Sequence, residues 1–255
     1  LTYWSRVSRR LRTPRSLFLM LDYDGTLAEI APRPKDATLR PEVRRLLREL
    51  GRMPHLHLGF VSGRALQDLK QQVSVPGAAY VGSHGMEFYA DGKQWSLVNR
   101  AQRAVVAEVR KRVDELLRDE PGVYIESKPY SVALHYRRAS REESGRIRRK
   151  AREVSREYSG KVVVQIGKKI LELLPALEAT KGTGVQTLLK LRPFRRCYPL
   201  YLGDDVTDET AFRALGPKSL TIVVGPARKR SAAQFRLSSP GEVERFLRRL
   251  KELRS

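Results

Sequence analysis

Two aspartates, Asp22 and Asp24 in the run Asp22-Tyr23-Asp24-Gly25-Thr26, follow directly on the short apolar stretch Ser16 to Leu21. A stretch of that kind reads as a strand buried on both faces, and its period of two directs both carboxylates to one side of its mouth. Such a pair can divide labour. One carboxylate, ionised at neutral pH, attacks an electrophile without a base to activate it, while the other gives a proton to the leaving group. A second acidic cluster, Gly203-Asp204-Asp205-Val206-Thr207-Asp208-Glu209, ends a later apolar run. If it faces the first, the two make a set of hard oxygen donors suited to Mg²⁺, which takes carboxylates, a backbone carbonyl, waters and a phosphate oxygen. The metal would offset the repulsion between an aspartate nucleophile and a phosphate anion. Ser62, in Val61-Ser62-Gly63-Arg64, offers a hydroxyl and the free N–H groups of a helix start to the same phosphate. Lys181, in Lys181-Gly182-Thr183-Gly184, offers a point charge.

These groups need elements that bring them together. Ser16 to Leu21 is predicted to be a strand, Pro41 to Leu50 a helix with its apolar face on Val43, Leu46, Leu47 and Leu50, and Leu56 to Val61 the next strand. Ser62-Gly63-Arg64 is expected to open another helix. Tyr80-Val81 leads into the turn-rich Gly82-Ser83-His84-Gly85, and Cys197 to Leu202 and Leu220 to Val224 read as further buried strands. Strand and helix alternating at this spacing predict an α/β fold, a doubly wound and mainly parallel sheet whose ligands sit beyond the carboxyl ends of the strands. Between the halves the pattern changes. Ala101 to Leu117 reads as an amphipathic helix, Tyr124 to Tyr136 as a strand pair or one bent strand, Arg141 to Tyr158 as a charged helix, and Lys161 to Leu174 as a strand or hairpin. The expected organisation is a basic N-terminal extension on the surface over 1–15, a Rossmann-like core from 16–98 and 178–255, and an inserted α+β domain over 99–177.

Composition narrows the class. Apolar residues make up 41% of the 255 and charged ones 31%, enough for a core and too much for a disordered chain. Leu17 to Leu21 is far too short for a membrane span, and no later stretch does better, so no membrane partner is expected. The one cysteine, Cys197, excludes an internal disulfide framework and suits a reducing cytoplasm. The chain starts on Leu1 instead of Met, which leaves room for residues upstream. Fifty Lys+Arg against 28 Asp+Glu give a net charge of +22. Pairs such as Arg9-Arg10, Arg44-Arg45, Arg137-Arg138 and Arg248-Arg249, and Arg148-Arg149-Lys150, are dispersed on helix-like segments that mostly carry Glu as well. That distribution reads as a solvated surface, with no nucleic-acid module beside it, and its field would draw anionic substrates toward a cleft.

The four segments around Asp22, Ser62, Lys181 and Asp204 resemble, in this order, the motifs of the haloacid dehalogenase-type phosphohydrolases. The resemblance implies Asp22 as nucleophile forming an aspartyl-phosphate, Asp24 as general acid and then base, and Ser62, Gly63 and Lys181 as phosphate binders. It further implies Asp22, the Asp24 carbonyl and Asp204 as Mg²⁺ ligands, with Asp208 a supporting carboxylate and Asp205 an extra ligand. The inserted unit resembles that superfamily's sugar-phosphatase cap. Asp22-Tyr23-Asp24-Gly25-Thr26-Leu27, Val61-Ser62-Gly63-Arg64, Gly82-Ser83-His84-Gly85, Ser131 to Arg137, Gly167 to Glu172 and Gly203 to Glu209 together look like the narrower family of trehalose-6-phosphate phosphatases, over Leu17 to Pro226. That family's reaction, the last step of trehalose biosynthesis, is the function expected, with a small sugar phosphate as substrate and a monomer as the acting species. By the same resemblance Lys128, Arg137, Lys168 and Glu172 would hold the disaccharide, with Arg64 and His84 on the core side of the cleft.

The residues themselves are compatible with those sugar contacts. On a strand Lys168 and Glu172 share a face, whereas Lys128 and Arg137 fall on opposite faces unless the chain bends or breaks near Pro129. Closure of the cap would exclude bulk water while the sugar is placed. Two kinds of alternative stay open. A sugar phosphatase acting on sucrose phosphate or mannosyl-phosphoglycerate would share the four motifs and differ at Lys128, Arg137 and Glu172, and a phosphosugar mutase would retain the phosphate. From another class, a nucleic-acid-binding protein on an inactive phosphatase fold would suit the +22 charge, and the intact motif residues argue against it.

Overall fold

Successive side chains of the strand Leu17–Leu21 leave it on opposite sides, and both sides are buried: Leu17, Leu19 and Leu21 join one apolar cluster, Phe18 and Met20 another. A computed structural model describes residues 3–31, 36–167, 169–226 and 230–255. In chain order the elements are α1 (Trp4–Arg12), β1 (Leu17–Leu21), α2 (Pro41–Gly51), β2 (Leu56–Val61), α3 (Leu66–Val73), β3 (Ala79–Gly82), β4 (Glu87–Ala90) and β5 (Lys93–Ser96). Then come α4 (Arg100–Leu117), β6 (Tyr124–Ser127), β7 (Val132–His135), α5 (Arg141–Glu157), β8 (Val162–Gly167) and β9 (Ile170–Pro175). The chain closes with α6 (Lys181–Lys190), β10 (Tyr198–Gly203), α7 (Asp208–Leu215), β11 (Leu220–Val224), β12 (Phe235–Leu237) and α8 (Pro240–Arg254). It divides into two compact units, 1–95 with 179–255, and 96–178.

In the first unit eight strands run in the order β12-β11-β10-β1-β2-β3-β4-β5. The six from β12 to β3 are parallel, and β4 turns back antiparallel on β3. Apolar faces of α1, α2, α3 and α8 cover one side of the sheet, and those of α6 and α7 cover the other. This is the expected doubly wound α/β sheet. Leu17 stands opposite Tyr198 of β10 on one side and Leu56 of β2 on the other. The chain therefore leaves β1 in one direction for β2 and returns on its other flank as β10, so the switch point of the sheet lies beyond β1 and β10. Asp22 and Asp204 are the residues that follow those two strand ends.

The second unit is an antiparallel sheet, β6-β7-β9-β8, with α4 and α5 packed on one face. Val132, Leu134, Leu171 and Leu173 point to the helices, where they meet Val109, Val113 and Leu117 of α4 and Ile147, Ala151 and Val154 of α5. The residues that alternate with them, Ala133 and Glu172 among others, stand on the opposite face. The Tyr124 to Tyr136 segment is a strand pair, with Lys128 just past the end of β6 and Arg137 just past β7.

Two expectations need correction. Residues 3–15 are not a surface extension: Val7 and Leu11 of α1 are buried in the core, and Trp4 packs edge-on against Phe246. The seam at 4, 7 and 11 has helical spacing, but five arginines in 6–15 mask it. Several of them serve the packing instead of opposing it, since Arg6 and Arg10 lie over the Phe235 ring and Arg10 donates to Tyr198 Oη at 2.8 Å. The second correction concerns Ser62. The helix expected to open at Ser62-Gly63-Arg64 begins at Leu66, one turn later. Among the described residues no helix is long and apolar enough to cross a membrane.

Candidate active site

Asp22, at the mouth of β1, is 3% exposed, and its main-chain N–H is held by the Leu202 carbonyl of β10 at 2.9 Å. Lys181 reaches it from the first turn of α6. That helix start is anchored by a reciprocal cap between Thr180 and Thr183, and the Lys181 ammonium, 3% exposed, donates to Asp22 Oδ1 at 2.7 Å and to Asp208 Oδ1 at 2.8 Å. Asp208 is fully enclosed by donors. Tyr201 Oη gives its proton to Oδ1 at 2.6 Å, and the main-chain N–H groups of Asp204 and Asp205 bind Oδ2 at 3.1 and 2.9 Å. Asp208 thus shapes the loop after β10 and orients Lys181.

One carboxylate oxygen from each of Asp22, Asp204 and Asp208 lies within 4.8 Å of the others. Among the described residues three carboxylates meet one ammonium in this cluster, and the crowding of negative charge shows in the protonation equilibria. Burial, opposed by Lys181 and reinforced by Asp208 and Asp204, pushes the Asp22 carboxyl well above its usual range. Burial likewise works against the charge on Lys181, but Asp208 and Asp22 override it and hold the ammonium protonated. A divalent cation would relieve this excess of negative charge. The donor set is hard oxygen throughout, which suits Mg²⁺, and Asp208 is already saturated, so Asp22 and Asp204 are the carboxylates fitted to hold it. Gly25 supports the same reading. With φ +82° it allows so close an approach that a Cβ there would lie 2.3 Å from Asp204 Oδ2, so the Asp24-Gly25 backbone and the Asp204 carboxylate are direct neighbours.

The loop after β2 is laced to the turn after β3. Ser62 N–H binds the Val81 carbonyl, Ser83 N–H the Arg64 carbonyl and His84 N–H the Ser62 carbonyl, at 2.9, 2.7 and 3.1 Å. Ser83 and His84 both adopt left-handed backbone conformations, with φ 48° and 56°. Buried Glu87 supports that turn, accepting from Ser83 Oγ and from the Leu66 N–H at the start of α3. The His84 ring lies where a Cβ on residue 63 would stand, so a larger residue at Gly63 would have to displace that ring. Arg64 forms a two-pronged pair with Asp24, Nε to Oδ2 at 2.7 Å and Nη2 to Oδ1 at 2.8 Å, and its Nη1 donates to Asp68 at 2.7 Å.

In the second unit, Glu172 stands at mid-sheet and is 4% exposed. Its Oε1 accepts from Lys128 Nζ at 3.0 Å and from Ser131 Oγ. On the same face, His135 and Glu126 pair at 2.7 Å. Glu126 and Gln165 lie in register with Glu172 across the sheet, through Ala133 and directly.

The sequence profile of the trehalose-phosphatase family matches residues 20–241. The chain belongs to the trehalose-phosphatase family. Against the trehalose-phosphate phosphatase of Mycobacterium tuberculosis it is 36% identical over 243 residues, 91% of this chain and 60% of that one. The chain thus spans about three-fifths of the length of its mycobacterial relatives. With a probable trehalose-phosphate phosphatase of Arabidopsis thaliana it shares 30% identity over 262 residues, 94% of this chain and 74% of the relative. The solved C-terminal domain of the C. albicans trehalose-6-phosphate phosphatase superposes with a TM-score of 0.83 at 24% identity, covering 97% of this chain and 96% of that domain. The likeness in fold extends over both units, and the larger is a haloacid dehalogenase-like core.

Within this family member the structure gathers Asp22, Lys181, Asp204 and Asp208 in one cluster. Asp205 binds Asp208 Oδ2 through its main-chain N–H, and the three-oxygen group found among the described residues is made by Asp22, Asp204 and Asp208. Ser62 is no helix cap, and two of the N–H groups expected free there are in use: its own is bound by Val81, and that of Arg64 by the Ser62 hydroxyl. In the second unit Arg137 is exposed, Lys128 and Glu172 form a buried pair, and Lys168 lies outside the described residues. Sequence reasoning missed Tyr201, Asp68, Glu87 and Ser131. Tyr201 is one of two hydroxyls, with Tyr198, in an otherwise apolar strand, and Asp68 stands four residues after Arg64. Glu87 and Ser131 act through tertiary contacts that no local pattern marks.

Proposed function

We propose that the chain hydrolyses trehalose 6-phosphate to trehalose and phosphate through an aspartyl-phosphate on Asp22. The observation that carries this reading is the placement of Asp22, a buried carboxylate at the switch point of the sheet, held by Lys181 and flanked by Asp204 and Asp208. Family membership and the names of the mycobacterial relatives support the substrate.

An Asp22 carboxylate oxygen forms a bond to phosphorus as the bond from phosphorus to the sugar oxygen breaks, and Asp24 gives its proton to that departing oxygen. Water then attacks the phosphorus, Asp24 takes the proton back from it, and the bond between Asp22 and phosphorus breaks. Lys181, Ser62 and Gly63 bind the phosphoryl oxygens, and Lys181 stays protonated because two carboxylates face it. Held by Asp22, Asp204 and the Asp24 carbonyl, Mg²⁺ would neutralise charge where the carboxylate meets the phosphate. The family resemblance assigns recognition of the sugar to Lys128, Arg137 and Glu172 of the second unit and to His84 of the first. A monomer in the cytoplasm, the compartment its single cysteine suits, is the expected form.

The test is phosphate release from trehalose 6-phosphate, sucrose 6-phosphate, glucose 6-phosphate and an aryl phosphate, with Mg²⁺ and again with EDTA. Preference for trehalose 6-phosphate, lost on chelation and lowered at least about a thousandfold by Asp22→Asn, is expected. Preference for sucrose 6-phosphate would replace the substrate, and normal turnover by Asp22→Asn would remove the nucleophile assignment.

A further inference from the structure

Arg64 is 6% exposed, and its guanidinium is committed to carboxylates: two N–H groups in parallel to both oxygens of Asp24 and one to Asp68 four residues along. Its guanidinium lies 4.8 Å from the centre of the Tyr23 ring. That ring is itself fixed, since its hydroxyl donates to the Ala37 carbonyl at 3.0 Å. Asp24 has less support of its own, with a side chain 38% exposed in the loop that leaves β1. A half-exposed aspartate in a loop samples several rotamers, whereas two parallel bonds to a buried guanidinium set the plane of its carboxylate.

From this geometry we propose that Arg64 is a positioning residue for Asp24, locked in turn by Asp68 and Tyr23, and that it governs the proton transfers of the reaction and not the recognition of the sugar. The inference rests on the phosphatase reading above and replaces the sugar contact expected for Arg64. Its signature is a split between the two halves of the cycle. From p-nitrophenyl phosphate the leaving group departs as a stable phenolate, so phosphorylation of Asp22 proceeds without a proton from Asp24. Hydrolysis of the aspartyl-phosphate still requires Asp24 to take a proton from water.

The experiment is rapid-mixing kinetics of nitrophenolate release. Arg64→Gln is expected to keep the rate of the first turnover within about threefold, so that close to one equivalent of nitrophenolate appears in a burst, and to slow the steady state at least tenfold. Asp68→Asn, at a residue whose side chain is 42% exposed, should show the same split more weakly and guards against a folding defect in the first variant. On trehalose 6-phosphate Arg64→Gln should lower kcat with little change in KM. In an Asp24→Asn background Arg64→Gln should add no further loss, because a residue that acts through another has nothing left to act on. An unchanged steady state on p-nitrophenyl phosphate, burst and steady state slowed together in both Arg64→Gln and Asp68→Asn, or losses that multiply in the double variant would each overturn the proposal. A burst that survives Asp22→Asn would instead overturn the phosphatase reading beneath it.

Discussion

Each unit of this chain buries a lysine against a carboxylate, and the two pairs are built to different ends. In the first unit Lys181 and Asp22 each have side chains 4% exposed, and the ammonium is shared with Asp208 while Asp204 stands close by. In the second, Lys128 and Glu172 are 11% and 5% exposed and balance one another, with the Ser131 hydroxyl added to the same oxygen. Among the described residues the first arrangement sets three carboxylates around one ammonium, and the second sets one ammonium on Glu172 with the Glu126–His135 pair beside it. A one-to-one buried pair can serve as a rigid polar surface, whereas a cluster rich in carboxylates invites something that arrives, under the proposed function a cation and then a phosphate. The source of each lysine differs accordingly. Lys181 is held by a capped helix start far from Asp22 in the chain, and Lys128 by the tight turn between two adjacent strands.

Removing each lysine is the strongest way to break the comparison. Lys181→Met leaves buried carboxylates without their cation and is expected to cost about 3–5 kcal/mol of stability. Lys128→Met, with Ser131 still donating to Glu172, should cost about 1–3 kcal/mol. Urea unfolding checks both, and Mg²⁺ should restore part of the loss in the first variant and none in the second, since among the described residues only the first site gathers oxygens of three carboxylates within 4.8 Å of one another. Equal losses with equal Mg²⁺ responses would erase the distinction.

A smaller effect is expected at Glu172 itself. Replacing it with Gln keeps its size and removes its charge, and should lower the ratio of kcat/KM for trehalose 6-phosphate over p-nitrophenyl phosphate about tenfold, a difference near 1.4 kcal/mol. An unchanged ratio would assign the pair to folding alone.

The smallest concerns pH. Burial acts to raise the Glu126 carboxyl, but the bond from His135 and the nearby Lys128 prevail and hold it below its ordinary value of 4.5. Folded Glu126 therefore binds its proton less readily than unfolded Glu126, so its contribution to stability is intact above about pH 4.5 and fades as the pH falls below that value. Glu126→Gln should make the acid-side loss of stability measurably shallower, which melting temperatures between pH 3 and 6 would register.

How far the sequence could be read followed from where the information lies. The buried strands β1, β2, β10 and β11 are short apolar runs, and α2, α4 and α5 carry clear periodicity, so each was legible within a residue or two. Helix α1 was not, because its apolar seam is three residues wide among arginines whose value comes from rings elsewhere in the chain. The start of α3 was misjudged because Ser62 looks like a cap, while the chain spends a further turn tying itself to the Ser83–Gly85 segment. Of the site, Asp22, Lys181, Asp204 and Asp208 were legible as residue types at element ends.

The sequence by itself determined the alternation of strands and helices, the insertion of a second unit and the set of groups able to act on a phosphate, because these depend on local periodicity and side-chain chemistry. Only the tertiary structure decided the partners: that Lys181 bridges Asp22 and Asp208, that the Asp205 N–H binds Asp208, and that Arg64 grips Asp24. Those are contacts between residues up to 159 positions apart, and the sheet order that creates them is a property of the whole packed chain.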